Sequence, residues 1–109
     1  MNRKWNMTVI LGAALVGLVL LPSRAVPDEA SASFYKQKCA SCHGPDGKGE
    51  TPAGKAMKVR NFGDPAVVAM SDDELASVIT NGKGKMAKYA SLKPEQVKAL
   101  VEYCRSLAK

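Results

Sequence analysis

The stretch Cys39-Ala40-Ser41-Cys42-His43 determines which fold the rest of this 109-residue chain can adopt. Two thiols three positions apart near a helix end face the same side, where both can bond to the vinyl groups of one haem. The adjacent His43 is then delivered to the iron. The motif therefore predicts one covalently bound haem c, attached through Cys39 and Cys42, with His43 as an iron ligand.

Three other interpretations of these residues fit the rest of the chain less well. A thioredoxin-like redox pair lies between a strand and a helix, and this sequence lacks segments that alternate as strands do. A structural zinc site needs four ligands, and only the distant Cys104 could join Cys39, Cys42 and His43. A disulfide between Cys39 and Cys42 would close a very small loop and leave His43 without a role.

The segment before the motif is typical of an export signal. Arg3 and Lys4 precede an apolar run over residues 7–21, and small residues follow at Ser23 and Ala25. We expect cleavage after Ala25, which leaves residues 26–109 as one domain in the periplasm. Two alternatives are cleavage at the small residues 30–32 and retention of the apolar run as a membrane anchor.

The charge of the chain restricts its partners. Removal of residues 1–25 would lower the formal charge from +6 to +3, because three basic residues and no acidic ones are lost. The remaining lysines are scattered among acidic residues and do not form the dense basic stripe of a nucleic-acid-binding protein. We therefore expect redox partner proteins with an acidic docking surface, and no nucleic-acid partner.

The spacing of apolar residues predicts an all-α domain. Helical periodicity or helix-capping residues mark four segments, and no segment alternates for long enough to form a strand. Stretches rich in Gly and Pro separate the helices and predict loops. The predicted helices are residues 30–41, 66–70, 71–81 and 94 onward, and the predicted loops are residues 44–54 and 83–91. Pro65 stands at the first position of the second helix, and Ser-Asp-Asp-Glu at residues 71–74 is a capping-box pattern at the start of the third.

Further segments match a known family. Tyr35 lies four positions before Cys39, residues 43–49 read His-Gly-Pro-Asp-Gly-Lys-Gly, residues 81–86 read Asn-Gly-Lys-Gly-Lys-Met, and residues 100–107 read Leu-Val-Glu-Tyr-Cys-Arg-Ser-Leu. Together with the motif, these segments resemble the small bacterial class I c-type cytochromes. The resemblance implies the class I cytochrome c fold, in which three to five short helices surround one covalently bound haem. It also implies a monomer that carries single electrons and is not an enzyme.

The second axial ligand of the iron separates an electron carrier from an enzyme. A methionine there would leave no place for a substrate. A peroxidase or a ligand sensor needs an open position on the iron. His43 is the only histidine, so no second histidine is available as an acid or base. A third hypothesis is a domain held to a larger oxidoreductase. We favour the diffusible carrier.

Three methionines could supply that ligand. Met86 lies in a loop without periodicity, where a thioether can be presented to the iron, whereas Met70 belongs to an apolar helical turn and is better explained by packing. Met57 stays open from the sequence alone. The resemblance also favours Met86, because the family has Gly-x-x-Met-Pro here. Ala87 replaces that proline, which frees a backbone N–H and loosens the loop.

Other roles follow from the resemblance. The carbonyl of Pro52 is expected to accept a hydrogen bond from His43 Nδ1, with Pro45 as the alternative. Tyr35 and Tyr103 are expected to pack where the first and last helices cross.

Two groups of basic residues could contact the haem or a partner protein. Lys58 and Arg60 could pair with haem propionates or be solvated. Three lysines flank the loop of the predicted methionine ligand, namely Lys83, Lys85 and Lys88. They predict a docking surface for an acidic partner.

Cys104 is left over after haem attachment. It shares an apolar helix face with Leu100, Val101 and Leu107, so we expect a buried, inert thiol. The alternative is an intermolecular disulfide.

Overall fold

The structure is a computed structural model that describes residues 12–21 and 28–109. Residues 12–21 have no regular secondary structure, and their apolar side chains, such as Leu15 and Val16, are exposed. Ala25, after which we expect cleavage, lies outside the described residues. In the described part of the chain, none of the helices combines the length and apolarity that a membrane crossing requires.

The described residues form an all-α domain, as predicted. The only β-type pairing among these residues is an isolated antiparallel bridge between Lys83 and Met86. Three helices have ten or more residues and three have four or five. The helices are α1 (Glu29–Lys38), α2 (Ala40–His43), α3 (Pro52–Ala56), α4 (Pro65–Val68), α5 (Asp72–Asn81) and α6 (Pro94–Leu107).

The described residues form six helices, where three to five were predicted, and one reason is a break at Cys39. Asp28 caps the start of α1 by accepting a hydrogen bond from the backbone N–H of Ala30 at 3.2 Å. Cys39 ends α1 with φ −115° and ψ −38°, and its N–H still donates to the carbonyl of Tyr35 at 2.8 Å. The predicted single helix over residues 30–41 is therefore two helices, α1 and α2.

A second difference lies in the loop predicted over residues 44–54. Thr51 caps α3 because its Oγ1 accepts from the N–H of Gly54 at 2.9 Å, and Pro52 occupies the first helical position. The last three residues of the predicted loop are therefore helical. The high Gly and Pro content of the segment predicted a loop, although Thr51 and Pro52 are residues that can start a short helix.

The start of α5 confirms the predicted capping box. Ser71 Oγ accepts from the N–H of Glu74 at 3.1 Å, and Glu74 Oε2 accepts from the N–H of Ser71 at 2.7 Å. The two side chains satisfy backbone donors that the helix itself leaves free. The helix ends at Asn81, and Gly82 follows with φ 72°.

The fully buried apolar core lies where α1 crosses α6. It consists of Tyr35 from α1 and of Val97, Leu100 and Val101 from α6. The rings of Tyr35 and Tyr103 are 5.1 Å apart, which confirms that these aromatics pack at the crossing. Each buried aliphatic side chain stabilises the fold by about 1.5–3 kcal/mol, so this core is small for a domain of this length.

Arg105 joins the end of α6 to the start of α5. Its Nε donates to Asp72 Oδ1 at 2.7 Å, and its Nη2 donates to the carbonyl oxygen of Met70 at 2.7 Å. Asp72 lies in the first turn of α5 and Arg105 in the last turn of α6, where each charge is favoured by its helix dipole. This contact fixes the angle between two helices that pack together.

We predict that Arg105→Met lowers the free energy of unfolding by about 1–2 kcal/mol, because it removes both the ion pair and the hydrogen bond to the carbonyl. Urea denaturation of the purified protein measures this loss. Lys98→Met is the matched control, since Lys98 is an exposed basic residue of the same helix outside this ion pair. An equal loss in the two variants would show that the contact contributes nothing specific.

Candidate functional site

The two cysteines of the motif lie on one tight turn. Cys39 is the last residue before α2, and Cys42 lies within it. The N–H groups of Cys42 and His43 both donate to the carbonyl of Cys39, at 3.2 and 2.9 Å. Both thiols are free and half-buried. Burial, with a further contribution from Cys42, raises the pKa of Cys39 to about 11, so this thiol is protonated at neutral pH.

The side chain of His43 is half-buried. Burial lowers the pKa of His43, which favours the uncharged ring that can donate an electron pair to a metal. Its Nδ1 is buried without a hydrogen-bond partner among the described residues. A buried polar atom without a partner is costly, so this ring nitrogen marks a functional position.

Hydrogen bonds from three directions fix the backbone around His43. The hydroxyl of Tyr35 donates to the carbonyl of Gly44 at 2.6 Å. The hydroxyl of Thr51 donates to the carbonyl of Cys42 at 2.9 Å, and the N–H of Gly49 donates to the carbonyl of His43 at 2.8 Å. The turn is therefore rigid before any cofactor is considered. Tyr35 thus acts on this turn as well as at the helix crossing.

Phe62 covers the face of the histidine ring, a role that no sequence pattern predicted. The ring centroids of His43 and Phe62 are 5.0 Å apart, with an interplanar angle of 32°. The N–H of Phe62 donates to the carbonyl of Gly47 at 3.0 Å. A side chain on Gly47 would collide with the Phe62 ring. A glycine is thus required where the loop passes this aromatic.

The proposed partners of His43 Nδ1 differ in position. Pro52 is exposed at the first turn of α3, and the predicted hydrogen bond to its carbonyl is not formed in this structure. Its role stays a prediction. Pro45 lines a cavity of about 430 Å³ with Tyr35 and Tyr103, beside the helix crossing.

The structure places the three methionines in different settings. All of them are half-buried. Met57 ends α3, and the carbonyl of Met70 accepts the hydrogen bond from Arg105 described above. Met86 lies in the loop between α5 and α6, where its N–H donates to the carbonyl of Lys83 at 3.0 Å. The backbone of Met70 therefore takes part in a structural contact, whereas Met86 lies in a loop outside the helices.

The remaining candidates lie at or near the surface. Lys58, Arg60 and the three lysines around Met86 are exposed. Cys104 is half-buried, and burial, with a contribution from Cys39, raises the pKa of its thiol to about 12. The thiol is therefore protonated at neutral pH, as the packing interpretation requires.

The residues of the site fit a haem. Two thiols and a neutral imidazole come from one rigid turn, which is the donor set that haem c requires. Apolar side chains from five segments stay half-buried and supply a surface for a large apolar group. They are Met57, Val59, Phe62, Val67, Leu75, Val78, Ile79 and Met86. No cluster of three or more potential metal-ligating His, Cys, Asp or Glu side chains occurs in residues 12–21 and 28–109, so the zinc interpretation gains no support.

This chain is similar to a known protein family and to a solved structure. Residues 27–104 match the family model described as cytochrome c oxidase, cbb3-type, subunit III. A solved structure described as KustC0563 c-type cytochrome is similar with a TM-score of 0.63 and 34% identity, over 72% of this chain and 98% of that chain. No curated protein matches. The chain therefore belongs to the family of cbb3-type cytochrome c oxidase subunit III and is a small c-type cytochrome with covalently bound haem c.

Proposed function

We propose that this cytochrome carries single electrons outside the cytoplasm, with its iron held between His43 and Met86. The observation that carries the proposal is that His43, whose pKa is lowered by burial, lies on the same turn as Cys39 and Cys42. When bound, the haem supplies an iron that alternates between the ferric and ferrous states, one electron at a time. C-type cytochromes are generally exported, which agrees with the apolar segment at the start of the chain.

His43 and its surroundings supply a fixed electron-pair donor. The three hydrogen bonds to the backbone of residues 42–44 prevent the turn from moving, and Phe62 restricts rotation of the imidazole. A carbonyl that accepts from Nδ1 would fix the tautomer and raise the basicity of the other nitrogen. We assign that carbonyl to Pro52. Little then has to rearrange when an electron arrives or leaves.

Met86 is the proposed ligand on the opposite side. Its side chain is half-buried in the loop that follows α5, and thioether ligation raises the reduction potential of haem iron. If His43 and Met86 both held the iron, no position on it would remain for a substrate. This arrangement supports a carrier over a peroxidase.

The family match favours a second candidate function. The family description names a subunit of a terminal oxidase, so the domain could pass electrons within a larger membrane complex. The same haem site would serve both functions. Extraction of the native protein in mild detergent, followed by size-exclusion chromatography, separates them: a monomer supports the diffusible carrier, and elution with an oxidase supports the subunit.

We predict that the exported protein retains its haem through denaturing electrophoresis, because Cys39 and Cys42 bind it covalently. Its mass should equal that of the chain from Val26 plus one haem, which also tests the cleavage site. Replacement of both cysteines by alanine should abolish haem staining, and Cys104→Ala is the matched control that should keep it. A haem that dissociates from the unaltered protein on denaturation would contradict the proposal.

We predict that Met86→Ala converts the iron to a high-spin or externally ligated form and lowers the reduction potential. Absorption spectra of both oxidation states, with and without carbon monoxide, measure the change. Met57→Ala and Met70→Ala are the matched controls, and they should alter stability more than the spectrum. Loss of the methionine–iron signature in Met57→Ala alone would assign the ligand to Met57.

We predict that changing Lys83, Lys85 and Lys88 to glutamate slows electron exchange with an acidic partner protein by about tenfold or more at low ionic strength, because these exposed lysines steer the encounter. The absorption spectrum should not change. Stopped-flow kinetics over a range of salt concentrations measure the effect, which should shrink as salt screens the charges.

A matched control for the lysine variant carries the same charge change elsewhere. Lys36, Lys98 and Lys109 are also exposed, and they lie on α1, α6 and the last residue of the chain. Their replacement by glutamate should slow the reaction less. Equal slowing by the two triple variants would show that net charge, and not the loop around Met86, governs docking.

A further inference from the structure

Tyr89 makes three contacts that hold the Met86 loop against the rest of the domain. Its ring packs edge-on against Phe34 of α1, with centroids 5.5 Å apart and an interplanar angle of 79°. Its hydroxyl donates to the carbonyl of Lys38 at 3.2 Å, across 51 positions of sequence. Its N–H donates to the carbonyl of Ile79 in α5 at 3.0 Å.

The part of the loop nearest α5 is held by backbone contacts alone. The Lys83–Met86 bridge closes a tight turn, and a side chain on Gly82 would meet the carbonyl oxygen of Met86 at 2.6 Å. Ala87 provides no ring to restrict the backbone after Met86. The exposed lysines of the loop provide no packing. The first side chain after Met86 that attaches the loop to another helix is therefore Tyr89.

The hydrogen bond of Tyr89 ends at a functionally placed residue. Lys38 is the last residue of α1 and immediately precedes Cys39, the first cysteine of the attachment motif. The phenol therefore connects the loop of Met86 to the segment that holds the opposite side of the site. A change in the distance between these two segments would change the distance between Met86 and the turn of His43.

We propose that Tyr89 is the positioning residue of the Met86 loop, and that its hydroxyl bond to the Lys38 carbonyl keeps Met86 directed at the iron. This inference rests on the proposed ligation by Met86. In this role Tyr89 acts only through the loop. A proline after Met86 would restrain the loop by restricting backbone rotation. Tyr89 restrains the loop by side-chain contacts instead.

The consequence is kinetic as well as structural. An external ligand such as carbon monoxide binds the ferrous iron only after Met86 has moved away, so its rate reports how often the loop opens. A hydrogen bond of ordinary strength restrains such an opening by about two- to tenfold. Tyr89→Phe removes this bond and keeps the ring against Phe34. Tyr89→Leu removes both contacts and should have the larger effect.

Two measurements test the proposal on the haem-loaded protein. Carbon monoxide binding should be about two- to tenfold faster in Tyr89→Phe than in the unaltered protein, and faster again in Tyr89→Leu. Hydrogen–deuterium exchange of the backbone amides in residues 83–92 should be faster in both variants. The control is Tyr35→Phe, which removes the phenol bond to Gly44 on the opposite side and should destabilise the fold without faster exchange in residues 83–92.

The outcomes separate this inference from the proposed function. Unchanged amide exchange in Tyr89→Phe would overturn the role of Tyr89, whichever residue ligates the iron. Faster exchange with unchanged carbon monoxide binding would show that Tyr89 holds the loop but does not position a ligand. Equal acceleration of both measurements in Tyr35→Phe would assign the effect to general stability. A Met86→Ala spectrum identical to that of the unaltered protein would instead overturn the proposed ligand.

Discussion

The rest of the domain depends on the turn formed by Cys39 to Gly44. Cys39 interrupts the helix between α1 and α2, and Gly44 ends α2 with φ 80° before the loop begins. The buried hydroxyl of Tyr35 restrains this turn by donating a hydrogen bond to the carbonyl of Gly44. The covalent motif is thus placed on a support that is built from the helix crossing.

The protein-only core is too small to explain the whole domain. Among the described residues, four apolar side chains are buried, all from α1 and α6, whereas the large apolar residues of α5 and Met86 are half-buried and Val68 of α4 is 56% exposed. A haem attached at Cys39 and Cys42 would supply packing for this second half of the site. Arg105 compensates in part, because it attaches α5 to the well-packed α6 through polar contacts. Stability and cofactor binding are consequently coupled in this fold.

Sequence patterns predicted the features that depend on local chemistry. The capping box of α5 and the proline that starts α4 involve residue types with a strong local signal. The aromatic pair at the helix crossing was expected from the resemblance to the class I cytochromes c. The break at Cys39 and the contact of Phe62 with His43 had no such signal. The bonds of Tyr89 and Arg105 end on backbone carbonyls, and an acceptor that every residue possesses leaves no trace in the sequence.

The burial of the single histidine has a consequence for the surface of the domain. Histidine is the one side chain whose ordinary pKa lies between about pH 5 and 8. His43 is the only histidine, its Nδ1 is buried, and burial lowers its pKa. The surface that a partner meets therefore gains no histidine charge when the surroundings become mildly acidic. Recognition of this cytochrome then lacks the histidine-based pH switch that other exported proteins use.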